Sequence, residues 1–199
     1  MKKESLLVPR EKYLSAGVHI GLAAKTADMQ RFIYKVRPNG LAVLNVGVLD
    51  KRLLYAARVL AGMKHILAVS RKDNGKDAVK KFAEIIGAMS ITDRFMPGTL
   101  TNPALNAFYE PDVLVVTDPY ADKQAIKESV KKRIPIIGLA DTFNETSYLD
   151  LVLPCNNKGK KSISLIYWIL AQQIMALRGE QFTATPEEFG YEEKSEQLL

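Results

Sequence analysis

Asp112-Val113-Leu114-Val115-Val116 decides the fold of this chain, because its last four residues are all apolar and mostly β-branched. A continuous apolar run of this kind is typical of a strand that is buried on both faces of a parallel sheet. On either side of it, short apolar runs alternate with segments of helical period, which indicates helices packed on the sheet. We therefore expect an α/β fold, with a Rossmann-like or flavodoxin-like parallel sheet of about five strands and helices on both faces.

The same periodicity gives the approximate boundaries of the elements. The predicted strands cover residues 41–46, 65–69, 112–116, 134–139 and 149–153. The predicted helices cover residues 49–63, 77–86, 123–133 and 162–177. Asn74-Gly75 predicts a turn before the second helix, and Gly87 predicts the end of that helix. Residues 89–109 predict a long loop, or a short strand flanked by loops, because prolines and a glycine interrupt the pattern. No extended heptad-like stretch occurs, so we expect no long coiled-coil insertion.

The charge of the chain is unevenly distributed. There are 28 Lys+Arg against 22 Asp+Glu, a net charge of +6, yet residues 180–199 contain six glutamates and one lysine. Residues 1–40 contain eight lysines and arginines against three acidic residues, with aromatic residues between them. We predict that residues 1–179 form a single α/β domain with a basic amino-terminal segment (1–40), and that residues 180–199 form an acidic, flexible tail.

The composition favours some partners over others. A basic body favours a polyanion, because phosphates that are neutralised release condensed counterions, although solubility alone would also explain the charge. Cys155 is the single cysteine and only two histidines accompany it, so we expect a buried thiol, no disulfide and no metal site. The first twelve residues do not resemble a signal peptide, and the apolar run 162–177 is too short to cross a bilayer. We expect an intracellular protein with no membrane partner.

A nucleotide- or flavin-dependent enzyme is the main alternative, because sheets of this class bind nucleotides at the carboxyl ends of their strands. Asp118 and Asp141 end two predicted strands and could bind magnesium or a phosphoryl group, although capping a helix or fixing a turn is more usual. The phosphate-binding motifs are incomplete: one glycine follows the first strand, and Gly159-Lys160-Lys161-Ser162 has Lys where Ser or Thr is required. His19, between small and apolar residues, is expected to be structural. We expect no cofactor and no small-molecule substrate.

Five segments of the sequence are specific when they occur together and in this order. They are Ala16-Gly17-Val18-His19-Ile20-Gly21, Phe32-Ile33-Tyr34-Lys35, Arg94-Phe95-Met96-Pro97-Gly98-Thr99-Leu100-Thr101-Asn102, Pro111-Asp112-Val113-Leu114-Val115-Val116-Thr117-Asp118-Pro119 and Pro154-Cys155-Asn156-Asn157-Lys158-Gly159. Together they resemble the ribosomal protein S2 family in its archaeal and eukaryotic form, whose eukaryotic member is ribosomal protein SA, the laminin receptor precursor. The resemblance runs from about Tyr13 to Gly179.

The resemblance implies a structural constituent of the small (30S) ribosomal subunit, located in the cytoplasm and without enzymatic activity. Its implied partners are 16S ribosomal RNA and neighbouring ribosomal proteins, and its implied role is in subunit assembly and translation. Bacterial members carry a long inserted helical pair that this sequence lacks. Gly98 is expected to let its loop approach RNA or a neighbouring protein closely, with an ordinary turn as the alternative.

Basic and small polar residues of the irregular segments are the candidates for contacts with RNA phosphates. They are Arg10, Lys12, Lys25, Arg31, Arg37, Arg71, Lys72, Arg94, Thr101, Asn102, Lys158, Lys160 and Lys161.

Overall fold

Five parallel strands form the central sheet of the protein, in the order β4-β3-β5-β6-β7. The computed structural model describes residues 6–191. Its elements are α1 (Arg10–Ser15), α2 (Ala27–Gln30), β1 (Ile33–Val36), β2 (Ala42–Leu44), α3 (Val46–Ala61), β3 (Ile66–Val69), α4 (Asp73–Ile86), β4 (Met89–Ile91), β5 (Val113–Val116), α5 (Lys123–Lys132), β6 (Ile136–Ala140), β7 (Leu151–Pro154), α6 (Lys160–Arg178) and a 3-10 helix (Pro186–Phe189). The predicted fold class is confirmed.

β5 lies at the centre of the sheet, as its continuous apolar run predicts. Its four residues are fully buried, and they pair with β3 on one side and β6 on the other. After β3 the chain forms β4 on one side of β3 and then forms β5 on the other side. The order in which strands are added to the sheet therefore changes direction between β3 and β5. This reversal is the topological switch point, where sheets of this class usually bind ligands.

The two faces of the sheet carry different layers. Alternate strand residues, including Ala68 and Val115, pack with α3, α4 and α6. The other residues of the same strands, including Val69 and Val116, pack with α5 and with Phe95 and Leu100 of the loop after β4. This alternation is the period of a pleated strand, and it places helices on both faces.

One predicted strand belongs to a different sheet. The segment 41–46 forms β2, which pairs antiparallel with β1 in a separate two-stranded hairpin. Phe32 and Leu44 of this hairpin region pack on Ala140 and Val152, so its apolar run is buried against the sheet without joining it. The fifth parallel strand is β4, from the irregular region 89–109, where a short strand was one of two alternatives.

The predicted turn at Asn74-Gly75 is wrong, because both residues lie in the first turn of α4. A Cβ atom at position 75 would collide with the Ser70 side chain, so glycine lets the helix start directly against the end of β3. Gly87 ends α4 in the left-handed conformation, as predicted, with φ of 70°.

The packed part of the chain extends beyond the predicted boundary at Gly179. Phe189 is fully buried against α6 and its neighbours, and the Ser164 hydroxyl donates to its carbonyl oxygen at 2.7 Å. The Trp168 indole donates to the Ala184 carbonyl oxygen at 2.9 Å. The acidic residues 192–199 lie outside the described part of the chain. Among residues 6–191, no helix combines the length and apolarity needed to span a bilayer.

We expect Phe189→Ala to lower the free energy of unfolding by about 3 kcal/mol, because it removes a fully buried aromatic ring and leaves a cavity. Urea denaturation followed by circular dichroism measures this. Leu177→Ala is the control, since Leu177 is 49% exposed and its truncation should change stability by less than about 0.5 kcal/mol. Equal midpoints for the two variants would show that the carboxyl-terminal segment does not stabilise the domain.

Candidate nucleic-acid interface

A buried polar chain joins the loops at the carboxyl edge of the sheet. Lys72, after β3, forms an ion pair with Asp118, after β5. The Asn144 side-chain amide, after β6, donates to Asp118 Oδ1 at 3.1 Å. The Asn157 amide, after β7, donates to Asn144 Oδ1 at 3.0 Å. We call Lys72, Asp118, Asn144 and Asn157 the edge network; it ties together the loops that follow four strands.

Asp122 adds a second carboxylate to this edge. It is 3% exposed and accepts hydrogen bonds from the backbone amides of Arg71 at 2.9 Å and Asp118 at 3.2 Å. Burial raises the pKa of Asp122 to about 7, although these two hydrogen bonds act in the opposite direction. The Asp122 carboxyl therefore titrates in the neutral pH range.

Asp118 and Asp141, the carboxylates that an enzyme of this fold would use, accept hydrogen bonds that hold loops in position. Asp118 Oδ1 accepts from the Tyr120 amide at 3.0 Å, and Asp141 Oδ1 accepts from the Thr142 amide at 2.6 Å. Both residues therefore fix turns, which was the favoured prediction. Lys72 and Asp118 lie at the switch point itself, so an internal ion pair stands at the place where related sheets bind a ligand. Residues 6–191 contain no cluster of three or more metal-ligating side chains.

Several predicted basic residues surround this edge and form the carboxyl-edge surface. Its members are Lys25, Arg71, Arg94, Lys158, Lys160 and Lys161. Lys160 forms an ion pair with Asp77 at 3.0 Å, and the Lys158 ammonium lies 4.2 Å from the Phe143 ring centroid. Within the described residues, the other four form no salt bridge. Lys72, also predicted, points inward and belongs to the edge network.

Other predicted residues gather around the β1–β2 hairpin and form the hairpin surface. Its predicted members are Arg10, Arg31 and Arg37; the exposed Tyr34, for which no RNA contact was predicted, lies beside them. Burial, followed by the charges of Arg37 and Arg10, lowers the pKa of His19, so these two arginines lie close to that buried ring. A cavity of about 760 Å³ opens here, lined by Arg10, His19 and the exposed Tyr34. Lys12 lies apart, with its ammonium 5.7 Å from the Trp168 ring centroid.

Arg31 lies beside an arginine that the sequence analysis did not single out. The guanidinium carbons of Arg31 and Arg52 lie 4.8 Å and 4.7 Å from the centroid of the same ring, that of Phe32. Arg52 also donates to the Val152 carbonyl oxygen at 3.0 Å. Burial and the charge of Arg31 lower the pKa of Arg52. Two like charges on one ring concentrate positive potential at this end of the hairpin.

The loop after β4 is fastened to α5 by one buried carboxylate. Glu128 accepts from the backbone amides of Gly98 at 2.7 Å and Leu100 at 3.1 Å, and from the Thr101 hydroxyl at 3.4 Å. Burial raises the pKa of Glu128, but these hydrogen bonds and one from Gln124 outweigh it and leave the pKa below its ordinary value. Asn102 accepts from the Ala104 amide and stays exposed.

Gly98 has a local reason to be glycine. Its φ is 98°, and a Cβ atom there would lie 2.7 Å from a Leu105 methyl group. The ordinary-turn alternative therefore accounts for this glycine without a close external partner.

Sequence reasoning missed several residues that shape this interface: Arg52, Asp122, Glu128, Asn144 and Asn157. Asn157 lies within a segment that carries the family resemblance, and that is its one sequence signal. Glu128 sits in a lysine-rich helix and looks like an ordinary surface residue there. Cys155 is fully buried, as predicted, and burial raises the pKa of its thiol.

A flavodoxin-like sheet whose switch point holds an internal ion pair, and whose carboxyl-edge loops carry exposed cations, defines a class: a basic α/β protein of flavodoxin-like fold. Comparison with known proteins gives the family within that class. The family model of ribosomal protein S2 matches residues 13–109 and 104–176. The chain belongs to the ribosomal protein S2 family, whose members are structural proteins and not enzymes.

The chain is also similar over most of its length to archaeal proteins named small ribosomal subunit protein uS2. The protein of Staphylothermus marinus is 51% identical over 176 residues, which are 87% of this chain and 80% of that protein. The protein of Thermoplasma volcanium is 46% identical over 194 residues, 94% of this chain and 98% of its own length. That of Methanoregula boonei is 47% identical over 185 residues, 92% and 91% of the two chains. The predicted archaeal type is confirmed.

We expect Asn144→Ala to lower the free energy of unfolding by about 3 kcal/mol, because it leaves Asp118 Oδ1 and the Asn157 amide buried without this partner. Denaturant unfolding measures the change. Asn106→Ala removes the same side chain from an exposed position and should change stability by less than about 0.5 kcal/mol. Similar values for both variants would show that the edge network contributes little.

Asp122 should make the free energy of unfolding depend on pH in the neutral range. Its folded pKa of about 7 lies above the ordinary value of 3.8, so the folded state binds this proton more tightly than the unfolded state. The resulting stability is present at low pH and is lost as the pH rises through 7. Between pH 6 and pH 8 we expect the free energy of unfolding to fall by about 1 kcal/mol more in the wild type than in Asp122→Asn. Parallel pH profiles would contradict this.

Proposed function

We propose that the protein is a structural component of the small ribosomal subunit that binds 16S ribosomal RNA and neighbouring ribosomal proteins. Membership of the ribosomal protein S2 family supports the location, and the distribution of charge supports the chemistry. The proposal includes a cytoplasmic location and a role in subunit assembly and translation, without a cofactor or small-molecule substrate.

One observation carries the RNA-binding part of the proposal: exposed cations that form no salt bridge with any described residue are displayed on helix starts and loops that the fold holds in place. Among the described residues, Arg10, Arg37, Arg71 and Arg94 are exposed and form no salt bridge with another part of the chain. Such side chains keep their full charge for phosphates, and their contact releases counterions from RNA. The edge network holds the carboxyl-edge loops in place before RNA arrives, so less conformational entropy is lost on binding.

The predicted residues that already have internal partners fit a supporting role within the same interface. Lys72 pairs with Asp118, Lys160 pairs with Asp77, and Thr101 donates to Glu128. Each of these contacts fixes the position of a loop or a helix start. We propose that these residues shape the surface while the unpaired arginines and lysines make the phosphate contacts.

Sucrose-gradient sedimentation of native lysate tests the proposal, with and without magnesium chelation to separate the subunits. We expect the wild-type protein to migrate with small subunits in both conditions. We expect Arg31→Gln/Arg37→Gln to leave the subunit at a lower salt concentration than the wild type, because two phosphate contacts are lost.

The matched control is Lys64→Gln/Lys80→Gln, which removes the same charge from exposed positions outside the proposed interface. Its retention should equal that of the wild type. A wild-type protein found only at the top of the gradient would contradict the ribosomal function. Equal salt sensitivity of the two double variants would remove Arg31 and Arg37 from the interface.

A further inference from the structure

α5 carries a row of lysines that form no salt bridge with the rest of residues 6–191. Lys123, Lys127 and Lys131 are exposed and follow each other at intervals of four residues. Because an α-helix has 3.6 residues per turn and rises 1.5 Å per residue, side chains at this spacing share one face and lie about 6 Å apart. The buried residues Ala125 and Ser129 lie on the opposite side of the helix. We call Lys123, Lys127 and Lys131 the α5 row.

The α5 row has no counter-charge in the described part of the chain. None of its lysines takes part in a salt bridge there, whereas the neighbouring Lys132 pairs with Glu110 at 3.6 Å. The acidic residues of this stretch, Asp122 and Glu128, are each 3% exposed and accept hydrogen bonds from backbone amides. Like charges four residues apart repel one another and destabilise a helix. An external anion would relieve this repulsion.

Arg133 follows the α5 row in the chain and has an unusual backbone conformation. It ends α5 with φ of 57°, where α4 and α6 end on Gly87 and Gly179 in the same left-handed region. Glycine adopts this conformation without the steric penalty that a Cβ atom brings. Position 133 therefore holds an exposed cation where a glycine would fit the helix end better.

Exposed aromatic rings lie near the two ends of the α5 row. Tyr120 is 78% exposed and lies two residues before the N-cap of α5. Tyr148 is 70% exposed, has φ of 68° and lines a shallow depression together with Val130 and Arg133. Asp150 lines the same depression, and one of its carboxylate oxygens accepts from the Ile136 amide. Exposed tyrosine rings beside cations offer stacking surfaces for unpaired bases.

The α5 row adjoins a loop that is already part of the proposed interface. Glu128 binds the loop after β4 through Gly98, Leu100 and Thr101. These hydrogen bonds join the loop to α5, so Asn102 and the α5 row belong to connected elements.

We propose that the α5 row, with Arg133, Tyr120 and Tyr148, is an RNA-binding surface that follows the phosphates of a single RNA strand. It deepens the proposed function by adding a binding face to the carboxyl-edge surface and the hairpin surface, and it rests on that function for the identity of the RNA as that of the small subunit. An RNA strand is a better match than an acidic protein because the lysines are evenly spaced along a line and aromatic rings flank them.

Fluorescence anisotropy of the full chain with a labelled single-stranded RNA of about 20 nucleotides tests the surface across a salt series. We expect Lys123→Gln/Lys127→Gln/Lys131→Gln to reduce the slope of log affinity against log salt by about 2, because each lost phosphate contact contributes about 0.7. The control Arg58→Gln/Lys64→Gln/Lys80→Gln removes the same charge from exposed residues without forming a row. Its slope should change by less than half as much. Equal changes in the two triple variants would overturn the proposal.

Arg133→Gly separates binding from folding. Glycine suits the left-handed conformation, so the midpoint of thermal unfolding should stay the same or rise. The slope of log affinity against log salt should fall by about 0.7, because one phosphate contact is lost. An unchanged slope in this variant would remove Arg133 from the surface.

A poly-glutamate peptide that competes as well as unlabelled RNA at equal charge would overturn the assignment to RNA and indicate an acidic protein partner. Sedimentation of the wild type tests the proposed function separately, since it does not depend on the α5 row.

Discussion

The structure depends on a constraint at the carboxyl edge of its sheet: polar groups that are buried there must find partners inside the protein. Lys72, Asp118, Asn144 and Asn157 meet most of this constraint by bonding to each other across four loops; among the described residues, Asn157 Oδ1 is the atom of this network that has no hydrogen-bond partner and no ion pair. A buried polar group that loses its partner costs about 1–3 kcal/mol, so these loops cannot move independently without a large penalty. The edge network therefore fixes the positions of the flanking cations more firmly than a set of ordinary surface loops would.

The same network explains how a ligand-binding architecture can serve as a scaffold. In sheets of this topology the switch point is open and receives a ligand. Here the ammonium of Lys72 and the carboxylate of Asp118 occupy it, and Gly75 lets α4 begin directly against Ser70. The charges that remain available are outside the switch point, on the loops, the hairpin and α5, where they can meet a large polyanion rather than a small one.

The basic residues have different roles, and the contacts of each side chain determine which role it has. A lysine paired with an aspartate inside the chain, such as Lys160 with Asp77, contributes to local order. An arginine on an exposed loop that forms no salt bridge within residues 6–191, such as Arg71 or Arg94, can offer its charge to a partner. The hairpin adds a third arrangement, in which Arg31 and Arg52 share the ring of Phe32. Sequence composition counts all of these residues equally, whereas their surroundings give them different roles.

The sequence by itself determined the fold class, the four long helices, most strands and the basic character of the loops, because periodicity and charge are local properties; α1, α2 and the 3-10 helix were not predicted. The predicted first and last residues of β3, β5, β6 and β7 each lie within two residues of those in the structure. It misassigned the segment 41–46 because an apolar run shows that a strand is buried but not which strand it pairs with. Only the tertiary structure decided that β4 joins the sheet, that Asn74-Gly75 starts a helix, and that residues 182–191 pack on α6. It alone also showed that Glu128 and Asn144 hold loops while Lys72 is turned inward. These facts depend on contacts between residues far apart in the chain, and local sequence carries no signal for such contacts.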